Sequence, residues 1–415
     1  MDFRKPSVSR FLLPNGLRVV NDYDPSQAMV AVDVMYNVGS RDEHPDHTGM
    51  AHLFEHLMFG GSVNIPDFDA ELTAAGGYSN AWTTNDFTNF YELLPAVNIE
   101  TALWLESDRM LSLAFSNKAL EVQRQVVIEE FKQVCLNRPY GDSDHLLRAM
   151  VYKEHPYRYP VIGKEFAHIE QVTQDDVRRW FHAHYAPDNA VLSVSGNIPH
   201  DRMTELAYKW FNSIPSRDIP RRHLPAEPEP TGARLTEASG NVPRTTITIA
   251  YPMAAYGKEG YAAADAITDI LSNGRSSRFY RRLLMPGKHF AEIDAAITGS
   301  DEPGMLLITA GLLHEGPDAE RAAIDAINGE LHDLIVNPLT KHELNRSKNT
   351  VESDRTFSLL SILDRAQAYA QAEIHDENPG AAMERYKALT VGDIQATAAK
   401  LFSPERARTL IYRPA

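Results

Sequence analysis

Apolar positions along this chain follow two periods that alternate from end to end. Unbroken or alternating apolar runs mark strands. Met29-Val30-Ala31-Val32-Asp33-Val34-Met35-Tyr36 is one such run, ended by Gly39, and Val191 to Ser195 is another, ended by Gly196. Helical spacing covers 48–59, 98–113, 118–135 and 174–184. Further on, Thr245-Thr246-Ile247-Thr248-Ile249-Ala250-Tyr251 and Met305-Leu306-Leu307-Ile308-Thr309-Ala310 read as strands, and 261–272, 318–335 and 341–372 as helices. Strands and helices are interspersed, so each half of the chain is predicted to be α+β, with helices packed on a sheet.

The pattern is interrupted once. Pro215, Pro220, Pro225, Pro228 and Pro230 cluster with Arg, Glu and Asp between them. Proline fixes φ and removes a donor, so neither helix nor central strand survives there. We read 215–234 as an extended linker between a domain at 1–214 and a domain at 235–415. The two resemble each other. Thr173-Gln174-Asp175-Asp176-Val177, then Tyr185-Ala186-Pro187, then Ala190 to Val194 matches Thr390-Val391-Gly392-Asp393-Ile394, Phe402-Ser403-Pro404 and Arg408 to Tyr412. The offset is 390 − 173 = 217, and it holds without a gap at Asp176/Asp393, Tyr185/Phe402 and Pro187/Pro404. Each copy reads as a capped helix, a proline turn and a strand, which suggests duplication.

Length and charge narrow the classes. At 415 residues, 43% hydrophobic, the chain exceeds the ~250–300 residues at which single cores stop growing. The 41 Lys+Arg against 56 Asp+Glu leave a formal net charge of -15, which repels nucleic acid and anionic membranes. One cysteine, Cys135, excludes an internal disulfide. No apolar run reaches the ~18 residues that span a bilayer. Met1-Asp2-Phe3-Arg4-Lys5-Pro6 has no apolar stretch behind its basic residues, so the expected compartment is the cytoplasm, or the periplasm if a signal was removed.

The chemistry concentrates in His52-Leu53-Phe54-Glu55-His56. On a helix His52 and His56 stand one turn apart on one face, where both imidazoles reach one metal ion. Glu55 lies beside that face. Two imidazoles and a neighbouring carboxylate are the parts of a zinc hydrolase: ligands, and a base for a water whose pKa zinc lowers towards ~7. Alone, the pattern also fits a polar helix face with satisfied histidines. A third ligand is expected from elsewhere, and 118–135 offers Glu121, Glu129 and Glu130. Glu130 shares a helical face with Val126, Val127 and Val134. Burial there calls for a partner such as a metal, with a buried ion pair as the alternative. Glu129, with Gln125, Lys132 and Gln133, reads as a solvated charge.

With Glu130 following His56 after 73 residues, the chain resembles the inverzincin peptidases of family M16, the pitrilysin family. Within it, the chain is similar to the small bacterial members akin to mitochondrial processing peptidase. Leu13-Pro14-Asn15-Gly16-Leu17, Val38-Gly39-Ser40-Arg41-Asp42-Glu43, Gly163-Lys164, Gly196-Asn197 and Gly274-Arg275-Ser276-Ser277-Arg278 extend the resemblance over nearly the whole chain. It implies two homologous α/β-roll domains, each a mixed sheet packed with helices, forming a clamshell. It implies one Zn2+ per chain on His52, His56 and Glu130, with Glu55 as catalytic base of a zinc metalloendopeptidase. Gly77-Tyr78-Ser79-Asn80-Ala81-Trp82-Thr83 matches the family's substrate-binding edge strand, with Asn80, Ala81 and Trp82 at its centre. Such an edge can pair with an extended peptide; an ordinary edge strand is the alternative.

Three positions depart from the family pattern. Gln123 stands where a second-shell Glu is usual, seven residues before Glu130, and supplies no charge. In related peptidases the second half carries an Arg and, seven residues on, a Tyr that hold the substrate oxygen; aligned on Ser276-Ser277-Arg278, those places hold Leu284 and Ala291. Tyr280, Arg281 and Arg282 are close but at the wrong spacing. The second half also has Asp265, Thr268 and Asp269 where His52, Glu55 and His56 stand, aligned at Gly61 and Gly274. The expectation is a peptidase working as one subunit of a dimer, in the heterodimeric case with a partner that supplies the Arg/Tyr pair. The contrasting expectation is a non-catalytic scaffold subunit on the same fold.

Overall fold

The computed structural model describes residues 7–114, 116–217, 219, 222–337 and 339–415. Met1 to Pro6 and Pro220 of the linker therefore lie outside the described residues. The strands are β1 (Val8–Leu12), β2 (Arg18–Tyr23), β3 (Met29–Tyr36), β4 (Tyr78–Thr83), β5 (Thr88–Pro95), β6 (Ala190–Gly196), β7 (Arg234–Gly240), β8 (Thr246–Pro252), β9 (Phe290–Ile297), β10 (Met305–Leu312) and β11 (Arg408–Pro414). Helices of the first half are α1 (Met50–Met58), α2 (Phe68–Ala74), α3 (Ile99–Leu111), α4 (Asn117–Phe131), α5 (Ser143–Val151), α6 (Phe166–Glu170), α7 (Gln174–His184) and α8 (His200–Phe211). Those of the second are α9 (Tyr261–Ser272), α10 (Pro317–Val336), α11 (Lys341–Ser358), α12 (Ile362–Ile374), α13 (Ala381–Ala388) and α14 (Val391–Leu401).

Two mixed sheets result. The first runs β1-β2-β6-β3-β5-β4 and the second β7-β11-β8-β10-β9. Apart from β1, the two orders superpose strand for strand. Each has one parallel pair, β2 with β6 and β7 with β11, beside antiparallel neighbours. The capped helices of the repeat also match. Thr173 and Asp176 close a reciprocal capping box on α7, and Thr390 and Asp393 close the same box on α14.

The chain forms two compact units that do not follow its halves. Unit 1 comprises 1–131, 159–224 and 355–379, and unit 2 the remainder. The domains expected at 1–214 and 235–415 thus each give up a segment, and the physical reason is a reciprocal loan of helices. In unit 1, Val30, Val32, Val34 and Tyr36 of β3 pack on one face with Leu53 and Phe54 of α1, Leu103 of α3 and Phe181 of α7. On the other face Val20, Met35 and Val191 pack with Tyr369 and Ala370 of α12, and Ala31 with Ile362 and Ala366. Both faces of β3 are covered, which explains its unbroken apolar run. In unit 2, Ile247, Ile249, Leu306 and Ile308 face α9, α10 and α14, while Ala250, Met305 and Leu410 are covered by Leu147, Met150 and Val151 of α5. The helix expected over 341–372 is accordingly two, α11 and α12. Ser361 caps the second, its side chain accepting from the Asp364 N–H.

Candidate metal centre

The centre lies wholly in unit 1. Helix α1 begins at Gly49, whose left-handed φ of 88° is open to glycine at little cost. A Cβ there would also meet the Ile169 side chain at 2.7 Å. The two helix-start N–H groups of Gly49 and Ala51 donate to the buried Glu43 carboxylate, each at 2.8 Å. Thr48 fixes the same end: its Oγ1 accepts from the Lys164 N–H at 2.8 Å and lies 2.9 Å from His168 Nδ1. So Glu43 and the Gly163-Lys164 turn serve to seat α1. With Leu53, Phe54 and Leu57 in the core, the helix phase turns His52, Glu55 and His56 outward.

Glu130 of α4 meets them there. His52 Nε2 and His56 Nε2 are 3.3 Å apart, and Glu130 Oε2 lies 3.7 Å from the first and 3.5 Å from the second. Ligand atoms bound tetrahedrally at ~2.0–2.1 Å from one zinc stand about 3.3 Å apart. The three atoms therefore fit a zinc ion, with the fourth position left to water or substrate. Among the described residues no other group of three His, Cys, Asp or Glu side chains converges in this way. Burial is the main reason that His52 is pushed down to about 4, with a smaller push from His56 and an opposing pull from Glu130. Its imidazole is neutral at pH 7, as a ligand requires. Glu130 is held below the usual carboxylate range, first by its hydrogen bond to His56. His52 Nδ1 is buried without a hydrogen-bond partner among the described residues. That is unusual for a metal-ligating histidine, whose second nitrogen normally finds an acceptor.

Glu130 is the residue brought to the histidines, but not from the core-facing side of α4 expected for it. Val127 is buried, but Val126 and Val134 are 44% and 37% exposed, and the Glu130 side chain is 38% exposed. Glu130 does not face the core; it borders a partly solvated apolar stripe on α4. Glu129 is exposed, as a solvated charge should be. Immediately after α4 the chain continues as a π-helical turn over Lys132–Leu136, a distortion that often accompanies functional sites. Gln123 is half-buried on α4, and its side chain makes no hydrogen bond among the described residues.

Glu55 is half-buried next to the histidines. Burial pushes its carboxyl up, and the Thr83 hydroxyl, donating to Oε2 at 2.5 Å, pulls it down. Thr83 ends β4, the edge strand of the first sheet. The three residues singled out on that strand do not act alike. Asn80 is exposed, and its own Oδ1 accepts from the Ala81 N–H at 2.8 Å. Ala81 packs against the core beneath α1, whereas Trp82 packs on the opposite face against the cluster that includes Met35 and Phe87. The Trp82 side chain is thus occupied inside unit 1.

Among the described residues, unit 2 holds no counterpart of this centre. Helix α9 also starts at a left-handed glycine, Gly260. Counted from that cap rather than from Gly274, the places of His52, Glu55 and His56 fall on buried Ala263, Ala266 and Ile267. On either count no imidazole is present. Asp269 accepts from Tyr386 Oη at 2.9 Å and Asn273 Nδ2 at 2.9 Å, which accounts for its carboxylate. Leu284 and Ala291 are half-buried, the latter on β9. Arg282 is bound to Glu330 and Asp333, Arg281 is exposed and Tyr280 half-buried.

A repeated α/β scaffold with one HxxEH helix and a glutamate from a second helix defines a zinc-hydrolase type of site. The comparisons are specific. The family model described as Insulinase (Peptidase family M16) matches residues 18–165, and the Peptidase M16 inactive domain matches 171–351. The chain belongs to peptidase family M16. It is 28% identical to the zinc protease PqqE of Helicobacter pylori over 99% of this chain and 93% of that one. It is 28% identical to the mitochondrial-processing peptidase subunit beta of Saccharomyces cerevisiae, over 65% of this chain and 59% of the other. The crystal structure of a protease from Helicobacter pylori matches with a TM-score of 0.91 at 27% identity, covering 99% of this chain and 100% of that one.

Proposed function

We propose that the protein is a zinc metalloendopeptidase in which His52, His56 and Glu130 hold the ion and Glu55 is the catalytic base. The observation that carries the reading is the convergence of His52 Nε2, His56 Nε2 and Glu130 Oε2 beside the Glu55 carboxylate. Zinc at that place would supply a Lewis acid that acidifies water and polarises the scissile carbonyl. Glu55 would take the proton of the attacking water and return it to the leaving amine. The outer edge of β4 would align an extended peptide, with Asn80 giving up the Ala81 N–H as the peptide arrives. The names of the relatives, zinc proteases and a processing peptidase subunit, support this reading.

The places expected to steady the substrate oxygen hold Leu284 and Ala291. Neither side chain can donate a hydrogen bond, and loss of one such donor typically costs ~10²–10³ in rate. We therefore infer a dimer in which a partner chain contributes an Arg/Tyr pair. The same two residues favour the second reading, a scaffold subunit without activity. Zinc analysis and peptide cleavage, with the wild type against Glu55→Gln, alone and with candidate partner chains, separates the two. Cleavage that needs a partner and is lost in Glu55→Gln supports the split site. A fully active homodimer sinks it, and zinc-loaded protein inactive with every partner favours the scaffold.

A further inference from the structure

Glu55 is anchored from two directions. Its backbone belongs to α1, whereas its Oε2 is held by the hydroxyl of Thr83, 28 residues away on β4. The position of Thr83 comes from the sheet: it pairs with Thr88 at the end of the β4–β5 ladder. It is two residues after Ala81 and so shares its face of the strand, which places its side chain on the α1 face. A β-branched side chain is stiff at χ1, so the direction of the hydroxyl is well defined. The 2.5 Å separation is that of a charge-assisted hydrogen bond to a carboxylate. Glu55 Oε1 makes no hydrogen bond among the described residues, so the two carboxylate oxygens are inequivalent.

We propose that Thr83 is a positioning residue for the base. It occupies Oε2 and leaves Oε1 as the oxygen that accepts the proton from water. The inference rests on the zinc-peptidase reading above. Its signature is a loss of kcat with KM and zinc content unchanged, because Thr83 touches the base and none of the metal ligands. Removing the outer partner of a catalytic or ligating group typically costs about 10–100-fold.

The test compares the full-length wild type with Thr83→Val, Thr83→Ser and Glu55→Gln, each loaded with zinc and given an internally quenched unstructured peptide, with the partner chain if cleavage needs one. The expected result is wild-type zinc content in all four and kcat about 10–100-fold lower in Thr83→Val at constant KM. Thr83→Ser, which keeps the hydroxyl, recovers most of the rate. A crystal structure of Thr83→Val should show the Glu55 carboxylate rotated away from its wild-type position. Wild-type kcat in Thr83→Val, equal losses in the Val and Ser variants, or an unmoved Glu55 in the crystal overturns the proposal. Should the wild type show no Glu55-dependent cleavage, the peptidase reading fails, and the crystal structure still decides whether Thr83 places Glu55.

Discussion

The residue with the sharpest physical conflict outside the centre is Asp33. It lies in mid-strand on the α12 face of the first sheet, fully buried, with Oδ1 accepting from Asn89 Nδ2 at 2.8 Å and Oδ2 unpaired among the described residues. Ser193 Oγ and Ser195 Oγ, on the neighbouring strand, are likewise buried without partners there. Burial pushes the Asp33 carboxyl up to about 8, only partly offset by Asn89 and Gln367. A folded-state pKa above the unfolded value means that the native protein holds a proton which the unfolded chain releases. The stabilising share of Asp33 is complete below pH ~3.9 and is lost as pH rises through about 8. Asp33→Asn should remove a dependence of about 1.4 kcal/mol per pH unit between those limits. Urea midpoints at pH 5, 6.5 and 8 check this; parallel pH profiles for the two proteins would contradict it. Glu130 teaches the complementary lesson. Its approach to the histidines followed from motif and spacing, whereas the apolar face invoked for it is half solvated, since Val126 and Val134 look outward. Thr83 and Glu43 could not be chosen from the sequence, because each acts on a residue whose nearness depends on strand register or on a buried turn.

At the scale of elements, α12 shows how helical spacing can be visible while the break before the helix and the sheet it covers are not. Its apolar spacing was visible, but periodicity does not say which sheet a helix covers. Its attachment is polar as well as apolar. Arg365 Nε donates to Asp22 Oδ2 at 2.7 Å and Arg365 Nη2 to Asp24 Oδ2 at 2.8 Å, all three side chains being buried. Arg18 adds a hydrogen bond to the Glu373 carbonyl at 2.7 Å. Removing the arginine strands two buried carboxylates, a change that typically costs ~3–5 kcal/mol. Arg365→Ala is therefore expected to lower the first transition in chemical denaturation by about that much, and Arg365→Lys to recover little, since one ammonium cannot reproduce the fork. Wild-type stability in Arg365→Ala would show that apolar packing alone holds α12. The strands were the more readable elements: β3, β6 and β10 are largely apolar runs and β8 alternates Thr with Ile, since both faces of these strands are covered. Strands β1, β2, β5, β7 and β9 were missed; in β7 exposed and half-buried residues alternate at the sheet edge, and β9 has few buried positions.

For the whole molecule, the repeat gives two sheets of the same order apart from β1, and among the described residues one candidate metal centre. The 217-residue offset exposed the repeat in the sequence. The exchange of α5 and α12 was hidden, because it is a matter of which sheet each helix covers. Among the described residues no helix is long and apolar enough to cross a membrane. The most direct measurement is the zinc content of the full-length chain purified at pH 7, then supplied with zinc and dialysed, for the wild type, Glu55→Gln and His56→Ala. One zinc per chain is expected in the wild type and in Glu55→Gln, and loss of most of it in His56→Ala, since removing an imidazole breaks the three-atom cluster whereas Glu55 only borders it. A wild type that retains no zinc, or a His56→Ala variant that retains it fully, would contradict the assignment.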